Sequence, residues 1–178
     1  MATPAILSLN ADVIMDTDAR VRMTGQNRMR YLNTLCSVYR TTTQAISDST
    51  VTAIGFDAEE VDTDGMHDNA TNNSRITIQL AGKYFVFGQI DYESNVGSTT
   101  DARHARIHKN GAEFLTSAND FVLNNTGLCV MQVSVLMSLA VNDYLELNAY
   151  QVSGGNLNAN ANIANAPTTR FAVFYVGE

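Results

Sequence analysis

Apolar and polar residues alternate along most of the chain with a period of two, the spacing of strands whose two sides face different surroundings. Residues 75–80 are the cleanest case: Ile76, Ile78 and Leu80 stand against Arg75, Thr77 and Gln79. Ala81-Gly82 turns the chain into 83–92, where Tyr84, Val86 and Ile90 alternate with Phe85 and Phe87. Residues 103–109 are more polar and run into Asn110-Gly111, a signal for a tight hairpin, with Phe114 and Leu115 opening the return strand. In 128–139 one side is wholly apolar (Cys129, Met131, Val133, Val135, Met137, Leu139) and the other mixed (Leu128, Val130, Gln132, Ser134, Leu136, Ser138). Residues 50–56, 143–152 and 170–176 predict further strands, and the Asn-rich stretch 154–166 predicts a loop. About eight to ten short strands with no convincing helix over 36–178 imply a sandwich or barrel.

Three of these strands, 83–92, 128–139 and 170–176, are substantially apolar on both sides. A two-layer sandwich buries one side of each strand, so the second side needs another cover. Two covers are open: a second copy of the chain, which the pattern favours, or the N-terminal segment. The candidate interface residues are Phe85, Phe87, Gln132, Ser134, Phe174 and Val176. Residues 1–35 keep no sustained period, and Gly25 interrupts any helix there. They predict an extended, irregular arm ahead of a body over 36–178.

Composition sharpens this. The chain is 45% hydrophobic, which excludes disorder, and only 16% charged, below the roughly 25% of an ordinary soluble domain. A net charge of −7 argues against nucleic acid as a partner. The charge is uneven: residues 1–40 hold Arg20, Arg22, Arg28, Arg30 and Arg40 against Asp12, Asp16 and Asp18, and the rest is strongly acidic. Arg20, Arg22, Arg28 and Arg30 are the candidate attachment residues of the arm, since arginine suits fixed pairing with carboxylates. No basic region precedes an apolar run at the N-terminus, as an export signal requires, and no stretch approaches the length of a membrane span.

Chemistry is scarce. Cys36 and Cys129 form no metal motif and read as buried free thiols. His104 and His108 share a strand face without an evident third ligand, and the histidines read as polar surface residues. Asp57, Glu59, Glu60, Asp62, Asp64 and Asp68 crowd one segment, but the third acidic position and the closing glutamate of a calcium loop are missing. The segment reads as a solvated acidic loop. No catalytic motif, phosphate loop or dinucleotide fingerprint occurs, and there is no Trp to stack a sugar. The expectation is a protein that is not an enzyme, with no metal and no cofactor.

The ordered set Gly82-Lys83-Tyr84-Phe85-Val86-Phe87, Lys109-Asn110-Gly111, Leu139-Ala140-Val141-Asn142-Asp143-Tyr144-Leu145-Glu146-Leu147 and Phe171-Ala172-Val173-Phe174 resembles the globular head of the C1q and tumour necrosis factor superfamily. The resemblance spans residues 36–178. Asn142 stands where the family has glycine, and Asn tolerates the same left-handed conformation. Met66 and His67 stand where the family often has an aromatic residue, and no collagen repeat precedes the head. The chain is more similar still to the versions of this domain in tailed-bacteriophage structural proteins, through Gln44-Ala45-Ile46, Phe56-Asp57-Ala58-Glu59, Asp62-Thr63-Asp64-Gly65-Met66-His67-Asp68 and Tyr150-Gln151-Val152-Ser153-Gly154-Gly155-Asn156-Leu157. The resemblance implies a C1q/TNF-like ten-stranded antiparallel jelly-roll sandwich, a homotrimer, and a place on a virion assembled in the host cytoplasm. The expected role is a trimeric capsid-decorating or virion-stabilising protein. Its arm would grip other capsid or tail proteins, with no insertion into membrane. The alternative is the head of a tail fibre or spike that binds a host-surface glycan or protein.

Overall fold

A computed structural model describes residues 8–9, 11–15, 21–23, 34–94, 102–119, 129–163 and 166–177, with the backbone alone described over 8–23 and 162–167. Three short strands precede the body: β1 (Ser8–Leu9), β2 (Ala11–Met15) and β3 (Val21–Met23), paired antiparallel in that order. The body continues with β4 (Leu35–Tyr39), β5 (Gln44–Ile46), β6 (Thr52–Ala53), β7 (Ala58–Asp62), β8 (Arg75–Thr77), β9 (Gly82–Tyr92), β10 (Ala102–Lys109) and β11 (Ala112–Asn119). It closes with β12 (Cys129–Leu139), β13 (Tyr144–Val152), β14 (Leu157–Ala159), β15 (Asn162–Ile163), β16 (Ala166–Pro167) and β17 (Arg170–Gly177). No helix occurs among the described residues.

Two antiparallel sheets face each other. The first runs β12, β9, β17, β4, β7, with β14 joining the far end of β9 and β5 pairing β14. The second runs β11, β10, β13, with β6 and β8 both along the outer side of β13. Neighbours in space are distant in sequence, as in a jelly roll: β17 lies between β9 and β4, and β13 between β10 and β8.

The period-two pattern explains the core. Tyr84, Val86, Ile90 and Tyr92 of β9, Met131, Val133, Met137 and Leu139 of β12, and Phe171 and Val173 of β17 point inward. They meet Ala105 and Ile107 of β10 and Leu145, Leu147 and Ala149 of β13. Each fully buried large side chain contributes about 1.5–3 kcal/mol relative to exposure. The buried tyrosines keep their hydroxyls bonded, as buried phenols must: Tyr84 donates to the Leu80 carbonyl at 2.7 Å and Tyr92 to the His104 carbonyl at 2.6 Å. Gly88 interrupts the inward row of β9 because a Cβ there would lie 2.5 Å from Leu147 Cδ1.

The expected hairpin stands between β10 and β11, with Asn110 at φ 52° and Gly111 at φ 81°. Asn142 takes φ 69°, the left-handed conformation expected of it. Within the extended arm predicted over 1–35, the described residues form β1, β2 and β3, strands of two to five residues that are too short to leave a period. One sequence reading needs correction: the Asn-rich stretch 154–166 predicts a loop, yet β14 lies inside it, because Leu157 and Ala159 turn into the core beside β5.

Candidate assembly face

The outward side of the first sheet is apolar where solvent would favour polar groups. The strand register lays its side chains in rows. Leu136 of β12 pairs with Phe85 of β9, Phe85 with Phe174 of β17, and Phe174 with Leu35 of β4, one continuous apolar row across four strands. The next row is Ser134, Phe87, Ala172, Ser37 and Val61; the one beyond begins Gln132, Gln89, Arg170. Polarity therefore rises along the strands, from a greasy end to an amide-rich end.

In the first row Leu136 is 61% exposed, Phe85 40% and Phe174 39%, and Val176 beyond it is 54% exposed. The Phe85 and Phe174 rings touch at 6.4 Å between centroids. Leu35, Val61, Phe85, Phe87, Ala172 and Phe174 line an open groove of about 500 Å³, with Arg170 and Glu60 at its rim. The rim is fixed by charge: Arg170 donates to Glu60, which also accepts from the Ser37 hydroxyl at 3.0 Å. At the polar end Gln132 donates to Gln89 at 2.6 Å, and Gln89 donates to the Thr168 carbonyl at 2.7 Å.

Of the candidate interface residues, Phe85, Phe87, Gln132, Ser134 and Phe174 lie on this one outward side, and Val176, at the irregularity that ends the β17 pairing, is 54% exposed. Leu136, Val130 and Leu35 share the face, and the first two are legible in the mixed side of 128–139. Leu35 carries no such signal because the sequence does not delimit its strand. Of the arm residues, Arg22 lies in β3 as backbone; Arg20, Arg28 and Arg30 fall outside the described residues.

The other candidates resolve into structural roles. The sequence places His67 at the surface, yet its side chain is fully buried, with Nδ1 3.1 Å from Glu59 Oε1 and Nε2 3.1 Å from the Asn73 carbonyl. The reason is the loop around it. The Asp62 carboxylate accepts from the amides of Asp64, Met66 and His67 and folds that loop inward.

The acidic segment is likewise not a simple solvated loop. Asp57 accepts from Thr41 and Thr42, and Asp68 caps the amides of Ala70 and Thr71. Glu60 belongs to the rim just described. Among the described residues no three His, Cys, Asp or Glu side chains converge on a point that could hold a metal ion.

His104 and His108 do share the outer face of β10. There Arg106 lies between them, 4.5 Å over the Tyr150 ring, and donates to Glu113 at 2.8 Å. Burial pushes the His108 imidazole down from its ordinary value, opposed by Glu113 and Glu146. Cys36 and Cys129 are free and buried, and burial raises both thiols above their ordinary range.

The architecture is thus an all-β, two-sheet jelly-roll head with one side left apolar. No family model and no curated protein matches the amino-acid sequence. Solved structures do match the fold. The globular domain of zebrafish complement 1qA aligns with a TM-score of 0.52 at 13% identity, covering 79% of this chain and 93% of that one. Murine APRIL aligns at 0.54 and 11% identity, covering 80% and 98%. The Eiger TNF of S. frugiperda aligns at 0.56 and 12% identity, covering 81% and 92%. The fold is that of the C1q/TNF-like globular domains.

Proposed function

We propose that this chain is a homotrimeric, non-enzymatic structural protein of a bacteriophage virion, a capsid-decorating or virion-stabilising component that works by assembly and display. The observation that carries the assembly reading is the row Leu136, Phe85, Phe174 and Leu35, with Val176 beside it, on the outward side of the first sheet. Contiguous apolar surface of this kind is uncommon on monomers and marks an interaction site. Two phenylalanines at its centre are of the aromatic kind enriched at interface cores, and the two leucines extend the apolar area that a partner would cover. A second copy of the chain is the most economical cover, and three copies about an axis close the assembly without leaving an open end.

The virion reading rests on the sequence segments at 44–46, 56–59, 62–68 and 150–157, which resemble those of tailed-bacteriophage structural proteins. The basic arm, with Arg20, Arg22, Arg28 and Arg30, would grip a more acidic virion protein. Analytical ultracentrifugation tests the first part: a trimer is expected and a monomer overturns it. Electron microscopy of virions with the protein gold-labelled tests the second. A lattice of label over the head is expected. A single cluster at the tail tip would instead favour the receptor-binding alternative, and unlabelled particles would overturn the virion role.

A further inference from the structure

One carboxyl group in the body is fully buried without a countercharge. Asp91 sits on β9 on the same side as Phe85, Phe87 and Gln89, yet its exposure is 0%. Its backbone is tied on both sides. The Asp91 amide donates to the Thr169 hydroxyl at 3.2 Å, and its carbonyl accepts from the Asn160 amide at 2.7 Å. Neither carboxyl oxygen has a hydrogen bond of good geometry; the Thr168 hydroxyl and the Asn160 side chain lie near enough only for weak ones. Residues 160–161 and 168–169 therefore close over a carboxyl group that water does not reach.

The elements around Asp91 offer it no positive charge. Its pair on β12 is Val130. Among the described residues, 129–139, 157–161, 168–169 and 89–94 contain no Lys, Arg or His. Besides Asp91 itself, the titratable groups on these elements are the Cys129 thiol, the Tyr92 phenol and the Glu93 carboxyl. Glu93 is spent on the Asn158 amide and side chain. Arg170, one row away opposite Gln89, is held by Glu60. An isolated carboxylate in such a place is costly, and the group stays neutral instead.

We propose that Asp91 is a proton-dependent fastening: carried neutral, it lets residues 160–161 and 168–169 seat on the end of β9, and its ionisation loosens that seam. The seam borders the polar end of the assembly face, since Gln89 reaches the Thr168 carbonyl and Gln132 reaches Gln89. Ionisation would therefore act on the face's amide-rich end while leaving the apolar row alone. The direction agrees with the chemistry: burial holds the Asp91 carboxyl above its ordinary value, against a smaller opposing effect of Thr168 and Asn160. A raised carboxyl favours the closed seam at low pH. The advantage is complete below the ordinary Asp value and is lost as pH rises through the raised one.

The proposal stands apart from the trimer reading and is tested on the full chain whatever its oligomeric state. Hydrogen exchange of the Asn160 and Thr168 amides, corrected for intrinsic rates, should accelerate about tenfold per pH unit between the two values. Amides of Val86 and Leu147 should stay unchanged. In Asp91→Asn the acceleration should vanish. Persistence of the same pH dependence in that variant would overturn the proposal. Because the variant could misfold, the Asp91 side-chain carbon in the unaltered protein provides the second measurement. It should titrate above the ordinary Asp range, and titration at or below about pH 4 would equally overturn it.

Discussion

Asn110 and Asp143 explain why two short motifs far apart in the sequence occur together. The Asn110 amide donates to Asp143 at 2.8 Å, and its carbonyl oxygen accepts from the Tyr144 amide at 2.9 Å. Asp143 also accepts from the Ala140 amide and pairs with Lys109, both at 2.8 Å. The hairpin and the turn before β13 are thus a single clip. Lys109 first, then the Ala140 amide and Asn110, hold the Asp143 carboxyl down to about 2. Its folded value lies below the ordinary one, so its stabilisation is present above about pH 4 and is lost as pH falls toward about 2. Asp143→Ala should lower unfolding stability by about 1–3 kcal/mol at pH 7, and urea titrations should find the difference shrinking below about pH 3–4. Gly88 makes a second prediction at this scale. Gly88→Val forces branched carbons against Leu147 and Val133 and should cost about 1–3 kcal/mol or more in the same assay. The left-handed turn residues were legible because few residue types adopt that conformation. The burial of His67 was not, because it depends on Asp62 folding the loop beneath it.

At the scale of elements, the strands that sequence alternation found best are those with one wholly buried side. β9, β12, β13 and β17 were readable within a residue or two because their inward positions are continuously apolar. β6 and β14 are two and three residues long, and two residues carry no period. The outward apolar face was legible for the same reason as the core: β9 and β17 hold aromatics at both parities. Its rows were not, since register across β12, β9, β17 and β4 is a property of pairing. The rows make a sharp expectation. Phe174→Asp or Leu136→Asp places charge in the apolar row without touching the core. Both should give folded monomers or soluble aggregates in light scattering, with far-UV spectra unchanged. Ser138→Asp, on the same strand and side but beyond the row, should remain trimeric. Intact trimers from both row variants would remove the face as the interface.

For the whole molecule, the body sheet begins with β4 at Leu35, and the residues preceding it are more basic than those that follow. A protein beginning at Thr34 should still trimerise, because every row of the face is retained. It should fail to bind virions lacking the endogenous protein, as judged by co-sedimentation. Replacing Arg20, Arg22, Arg28 and Arg30 with Ser should weaken binding most at low salt, since exposed charge pairs are screened over roughly 8–10 Å near physiological ionic strength. Undiminished binding by the truncated protein would move attachment onto the jelly roll.

The pairing of Leu35 with Phe174 has a practical corollary. It brings the entry and exit of the body side by side at one end, together with the turns at Asn110-Gly111 and 140–143. A tag or cargo fused after Gly177 would crowd the end of the body where the chain enters from residues 1–34. The opposite end carries the connection after β13. There a Cβ added to Gly154 or Gly155 would meet no atom within 4 Å, and Gly154 takes φ 80°. Foreign peptides grafted between those two glycines would project from the end of the body opposite its entry and exit.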